Sequence, residues 1–231
     1  MPHNNLELLA ETARLLEPLL EELAFVGGAT TALLISDPGA DAVRTSYDVD
    51  AIAAITSYAG YVEFSARLRE LGFTEDTSEG APICRWRHER IILDLMPLDT
   101  NVFGFSNRWY KAALDSAVEH ILEDGLHIRV VTAVYFCATK LEAFAGRGKG
   151  DYMASHDLED LISVIDGRAE IVTEVELAPV DVRTYITSEI RKLLSVREFV
   201  DSLPGYLRPD RASQARLGNL LSRLEQITAL G

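Results

Sequence analysis

Three aspartates in strand-like, largely apolar surroundings constrain this chain more than any other feature. Asp48 and Asp50 stand one residue apart in YDVDAIAAI, and Asp94 lies in RIILDLMPL. Val49, Ala51 and Ala53 alternate with Asp48, Asp50 and Ile52, a period that predicts a strand. Residues two apart on a strand project from the same face, with Cα atoms ~6.5–7 Å apart. Asp48 and Asp50 are therefore expected to point into one space, where something positive must separate them. Asp94 falls mid-strand among Ile and Leu, where a charge is costly unless it is paired or bound to metal. Taken alone, it reads equally well as a hydrogen-bonded structural residue.

Upstream, LAFV predicts a short buried strand running into Gly27-Gly28, and ATTALLI a helix that begins at that turn. A Gly-Gly pair by itself is a tight turn. Followed by a helix, it lets the backbone approach a phosphate while free N–H groups face the anion. The hydroxyl of Thr30 or Thr31 supplies one more donor. If the Asp94 strand neighbours the Asp48–Asp50 strand, three carboxylates converge. Hard oxygen ligands of that kind suit Mg2+ or Mn2+, in a two-metal arrangement for phosphoryl or nucleotidyl transfer. The turn would hold a triphosphate and the aspartates its metal ions.

The remaining pattern divides the chain. Leu6, Leu9, Ala13, Leu16 and Leu20 form one apolar stripe over residues 4–24, with Pro18 marking a kink or a fresh helix start. DPGAD is a loop, and YVEFSARLRELGF a helix ended by Gly72. APICRWRH and RIILDLMPL, separated by Glu-Arg, predict a hairpin with Ile91, Leu93 and Leu95 on one face and Ile92, Asp94 and Met96 on the other. After about residue 100 the segments TAVYFCATKLEAFAGRG, SHDLEDLISVIDGR, VDVRTYITSEIRKLLSVREFVDSL and RASQARLGNLLSRLEQITAL are helix-like. The expected organisation is an α/β half over residues 1–100 and a helical half over 101–231.

Charge narrows the partners. With 22 Lys and Arg against 36 Asp and Glu, the net charge is −14. Such a chain repels polyanions at long range and suits a site that concentrates divalent cations. It counts against a dedicated nucleic-acid-binding module. A local basic patch remains open: RWRHER clusters Arg85, Trp86, Arg87, His88 and Arg90, and GRGKGD adds Arg147 and Lys149. The first reads as a solvated hairpin, or as a surface that stacks on and neutralises RNA. Cys84 and Cys137 form no CxxC pair and the five histidines show no zinc spacing, so neither a disulfide framework nor a zinc site is indicated. A reducing, cytoplasmic setting fits this cysteine usage. No apolar run approaches the ~18–20 residues that span a bilayer, so no membrane association is expected.

The order strand, Gly-Gly, helix, Asp-x-Asp strand, lone-Asp strand resembles the nucleotidyltransferase superfamily that includes DNA polymerase β. Within it the chain looks like the AbiEii/AbiGii toxin family. GGATTALL, RTSYDVD and ILDLMP resemble three N-terminal signatures, and TKLEAFAGRGKGDYMASHDLEDL resembles a C-terminal one; the likeness runs from about residue 24 to residue 168. It implies an α+β fold, with a small mixed-sheet nucleotidyltransferase domain followed by a helical domain that completes the active-site cleft. It implies that Gly27 and Gly28, with Thr30, form the phosphate turn. Asp48 and Asp50 would hold the metals, and Asp94 would bind metal or activate an attacking hydroxyl. Lys140 would neutralise triphosphate charge, with Asp157 beside it.

Two positions depart from the pattern. Ala29 stands where many superfamily members have Ser or Thr, and His156 where many toxin relatives have Arg. Without the resemblance, Lys140 reads as a surface lysine on an amphipathic helix, and Asp157 as a helix cap or dipole partner. The activity implied is Mg2+- or Mn2+-dependent transfer of a nucleoside monophosphate from an NTP to an acceptor hydroxyl. RNA, tRNA in particular, is the implied acceptor, and an antitoxin protein the implied partner. The alternatives are transfer to a small molecule such as an aminoglycoside and a catalytically silent nucleotide-binding module. The presence of all three aspartates argues against the silent module.

Overall fold

The computed structural model describes residues 5–123, 125–148 and 150–231. Its strands are β1 (Leu23–Val26), β2 (Val49–Ala53), β3 (Thr74–Glu75), β4 (Arg85–His88), β5 (Ile91–Met96), β6 (Val118–Ile121) and β7 (His127–Val130). The helices are α1 (Asn5–Leu15), α2 (Thr31–Leu34), α3 (Tyr58–Glu70), α4 (Thr100–Phe103), α5 (Tyr110–Asp115), α6 (Ala133–Arg147), α7 (His156–Gly167), α8 (Ile171–Leu177), α9 (Val180–Leu194), α10 (Arg197–Ser202), α11 (Arg211–Gln214) and α12 (Leu217–Thr228). The fold is α+β. It separates into two compact units, one of residues 1–30 and 44–132, the other of residues 31–43 and 133–231.

The first unit holds the whole sheet, in the order β3-β4-β5-β2-β1-β7-β6. β2 runs parallel to β5, and β1 parallel to β7; the other pairings are antiparallel. Every residue of β1 is buried, as expected for a central strand covered on both faces. α1 buries Leu8, Leu9 and Ala13 and ends at Leu15. Pro18 then sits in the first turn of a 3-10 helix, Glu17–Glu22, where its missing N–H removes no bond. The expected fresh start at this proline is what the chain adopts. α3 is capped by Ser57, whose Oγ accepts from the Gly60 amide at 3.1 Å. Gly72 follows α3 in the left-handed region at φ +86°, as its role as a stop requires.

Two features differ from expectation. The expected boundary at residue 100 falls at residue 132 instead. A β6–β7 hairpin closes the sheet's far edge, and β7 pairs with β1 through Phe25 and Val130. The β4–β5 hairpin turns at Glu89-Arg90 as predicted, but it is not solvated on both faces. Trp86 is fully buried opposite Leu93.

The second unit is helical. Residues 133–141 of α6 are buried on all sides, marking it as the central helix. Ser155 caps α7, its Oγ accepting from the Leu158 amide at 3.4 Å. Residues 31–43 belong to this unit although they lie between the glycine turn and the Asp-x-Asp strand. The Ser36 and Asp37 amides donate to the Gly167 carbonyl at 3.0 and 2.9 Å. Arg216 then clamps Asp37 at 2.8 Å and Asp166 at 2.7 Å. A Cβ on Gly167 would stand 2.9 Å from Ile35, so the close approach of this loop depends on that glycine. Among the described residues, no helix is long and apolar enough to cross a membrane.

Candidate active site

Strand register assembles the carboxylates in the sheet unit. Asp50 on β2 lies beside Asp94 on β5, and on its other side pairs with Val26 at the end of β1. The chain then enters Gly27, at φ +81°. A Cβ on Gly27 would stand 1.9 Å from Asp50 Oδ2. This glycine therefore makes room for a carboxylate, and the glycine turn and the Asp-x-Asp strand are one packed feature. Gly28 has a different neighbour set. A Cβ there would meet Ser46 Oγ at 2.2 Å and Arg44 Nη2 at 2.6 Å. Buried Asn5 brackets the three: its Nδ2 donates to the Gly28 carbonyl at 3.3 Å and to the Arg44 carbonyl at 2.9 Å, and its Oδ1 accepts from the Ser46 amide at 2.9 Å. Ser46 Oγ is buried with no hydrogen-bond partner among the described residues.

The threonines contribute less than expected. The Thr30 hydroxyl donates to the Gly27 carbonyl at 2.9 Å, which spends that donor inside the turn. The expected helix after the turn is one 3-10 turn, Gly28–Thr30, followed by the four residues of α2. Thr31 Oγ1 is buried without a partner among the described residues.

Asp48 sits just before β2, and between it and Asp94 lies Arg85. Arg85 Nε donates to Asp94 Oδ1 at 2.8 Å, and Nη2 to Asp94 Oδ2 at 2.7 Å and to Asp48 Oδ2 at 2.9 Å. The β4–β5 register places Arg85 directly opposite Asp94. Hydrogen bonding to Asp94 drives the guanidinium pKa up, against the opposing effect of desolvation. Next to it, burial and the charges of Asp94 and Asp50 push the Cys84 thiol up to about 12, so this cysteine is no nucleophile.

The chain itself thus supplies a positive charge to Asp48 and Asp94. The aspartates have the donor chemistry for Mg2+ or Mn2+ but not the arrangement. Both oxygens of Asp94 and one of Asp48 are engaged by Arg85. Among the described residues no three acidic, His or Cys side chains are grouped to hold an ion. As folded here, these residues do not fit the metal.

Lys140 and Asp157 come together in the helical unit. Lys140 is buried, contrary to its reading as a surface lysine. Its Nζ lies 2.6 Å from Asp160 Oδ2, 3.5 Å from Asp157 Oδ1, and 5.6 Å from the centre of the Phe136 ring. Asp157 is held chiefly by Arg147, at 2.8 and 2.9 Å. Burial raises the Asp157 pKa, but Arg147 and Lys140 outweigh it and the net shift is downward. Asp157 is not the helix cap, since Ser155 fills that position.

Sequence reasoning left out Arg44, Ser46, Arg85 as a counter-ion, and Asp160. For Asp160 the signal was its i,i+3 spacing from Asp157, which puts both on one face of α7. For Arg85 it was the hairpin register opposite Asp94.

Each arginine of the RWRHER stretch has an acidic partner. Arg85 serves the aspartates, Arg87 pairs with Asp76 at 2.7 Å and Arg90 with Glu11 at 2.5 Å. Trp86 has no exposed face on which a base could stack. Arg147 is taken by Asp157, and Lys149 lies outside the described residues.

No protein-family model and no curated protein matches this chain. Among solved structures, a crystal structure of an H. pylori protein provisionally assigned as a nucleotidyltransferase aligns over 95% of this chain and 94% of that one, with a TM-score of 0.42 and 9% sequence identity. A superposition this loose leaves the functional reading to the chain's own residues.

Proposed function

We propose that this protein is a nucleotidyltransferase that moves a nucleoside monophosphate from an NTP to an acceptor hydroxyl. The observation that carries the proposal is Asp50 packed over the Gly27-Gly28 turn with Asp94 beside it in register. In the reaction the acceptor oxygen forms a bond to the α-phosphorus, the bond to the bridging oxygen breaks, and pyrophosphate leaves. A carboxylate within reach of the acceptor takes its proton. Asp48 and Asp50 are the residues we assign to that role, because Arg85 engages both oxygens of Asp94 and only one of Asp48. The Gly27-Gly28 backbone, with the Arg44 guanidinium beside Gly28, receives the phosphates.

Mg2+ or Mn2+ belongs to the proposal as the cation such carboxylates attract. No step is assigned to it, because Arg85 holds the carboxylates it would use. Lys140 and Asp157 enter through the resemblance alone.

An RNA acceptor, a toxin role and a neutralising antitoxin also rest on the resemblance. A specific observation favours the small-molecule acceptor as a second reading. The arginines expected to attract RNA are each paired with a carboxylate, on a chain of net charge −14. The test is incubation with each labelled NTP, Mg2+ or Mn2+, and either total bacterial RNA or an aminoglycoside. Label in a tRNA-sized band that is absent with Asp48→Ala supports RNA transfer. Label on the aminoglycoside alone supports the second reading. NTP binding without labelling of either acceptor points to the silent module and removes the transferase proposal.

A further inference from the structure

Among the described residues, Asp48, Asp94 and Arg85 form a closed set: two carboxylates share one guanidinium, leaving the set one positive charge short. Arg85 grips Asp94 with the two-pronged geometry that makes arginine–carboxylate pairs strong, and reaches Asp48 with the same Nη2. Its backbone is fixed, its amide donating to the Pro82 carbonyl at 3.0 Å and its carbonyl accepting from the Asp76 amide at 2.9 Å. The side chain is less confined. It keeps 22% of its surface exposed, and Asp48 keeps 36%, against 8% for Asp94. Asp50 adds a further carboxylate beside Asp94.

A divalent ion would balance this charge better than a guanidinium does, and the exposed side of the pair gives it a way in. It would have to displace Arg85 from Asp94 first.

We propose that Arg85 is the resident counter-ion of the Asp48–Asp94 pair and competes with divalent metal for it. Metal then enters the sheet unit only as the guanidinium releases Asp94, so the free protein holds metal weakly. This rests on reading Asp48, Asp50 and Asp94 as metal-directed carboxylates; nucleotidyl transfer is not required.

The test is calorimetric titration of the full-length, nucleotide-free protein with Mn2+. Arg85→Gln is expected to bind Mn2+ about tenfold more tightly than wild type, or about 1.4 kcal/mol. Adding Asp94→Asn to Arg85→Gln should remove the gain. Arg85→Lys, which keeps a charge but loses the two-pronged grip, should fall between. It also serves if Arg85→Gln does not fold. In thermal melts without metal Arg85→Gln should melt below wild type, and Mn2+ should restore it. Equal Mn2+ affinity of wild type, Arg85→Gln and Arg85→Lys would overturn the proposal, as would a gain that survives Asp94→Asn. With no nucleotide present, its failure leaves the transfer reaction to be judged on the labelling assay alone.

Discussion

The Arg85 cluster of the sheet unit and the Lys140 cluster of the helical unit each bury acidic groups against basic ones, and they balance them differently. Around Lys140 each acid has a base: Asp160 takes Lys140, and Asp157 takes Arg147. In the sheet unit two acids share Arg85. A matched set is complete and contributes chiefly to the fold, while a set short of positive charge still attracts a cation. The exposures agree. Asp157 and Asp160 side chains keep 8% and 1% of their surface, whereas Asp48 keeps 36%. Resemblance alone would have treated Lys140 and Asp48 as equivalent parts of one site. The local geometry buries the first between carboxylates and leaves the second part-exposed.

The largest expected effect comes from breaking the matched set. Asp160→Ala leaves a buried ammonium with only the more distant Asp157, itself held by Arg147, and should cost about 3–5 kcal/mol in urea unfolding. Asp94→Ala leaves Arg85 half-open to water with Asp48 still beside it, and should cost about 1–3 kcal/mol. An equal or reversed order would erase the distinction between the two clusters.

Next is Gly27→Ala, expected to cost about 2–3 kcal/mol from the left-handed backbone and the displaced Asp50 carboxylate. In an Asp50→Ala background part of that cost should vanish, because Asp50 Oδ2 and Cγ are gone while Cβ and the left-handed backbone remain. Additive costs would mean that Gly27 and Asp50 are not coupled.

A smaller effect is expected on acidification. The Asp157 pKa is lowered in the fold, so its contribution is complete above the ordinary value of 3.8 and is lost as pH falls through the depressed one. Asp157→Asn should flatten that part of the acid unfolding curve. Asp166 shifts the opposite way, raised by burial despite Arg216, so it cannot produce the same loss. The smallest stability effect belongs to Ser46→Ala. Removing an unpartnered buried hydroxyl should change stability by less than about 0.5 kcal/mol, yet weaken tripolyphosphate binding measured by calorimetry. Unchanged binding would take Ser46 out of the phosphate turn.

Local signals carried much of the fold. The restart at Pro18, the strand into Gly27, the strand through Asp50, the hairpin at Glu89-Arg90 and the long C-terminal helices all follow from short-range pattern. The β6–β7 hairpin escaped because β6 has no buried face: Val118 and Ile121 are exposed, so its alternation carries no apolar period. The better clue was the Asp-Gly pair at residues 124–125 between VEHIL and LHIRVV, a hairpin dipeptide. The grouping of Asp50, Asp94 and Gly27 was partly legible, since it needed only neighbouring strands. The partner of each charge was not. Arg85 finding Asp94, and Lys140 finding Asp160, depend on register and on helix packing across long stretches of chain, which no local period encodes.

The central claim is that the sheet unit's carboxylates carry out the chemistry. It is tested most directly by Asp48→Asn, a nearly isosteric change at a part-exposed residue. The measurement is transfer of label from an α-labelled NTP to its acceptor, with the melting temperature read in parallel. The account predicts a melting temperature close to wild type and no detectable label. Transfer at the wild-type rate by a folded Asp48→Asn protein would contradict it.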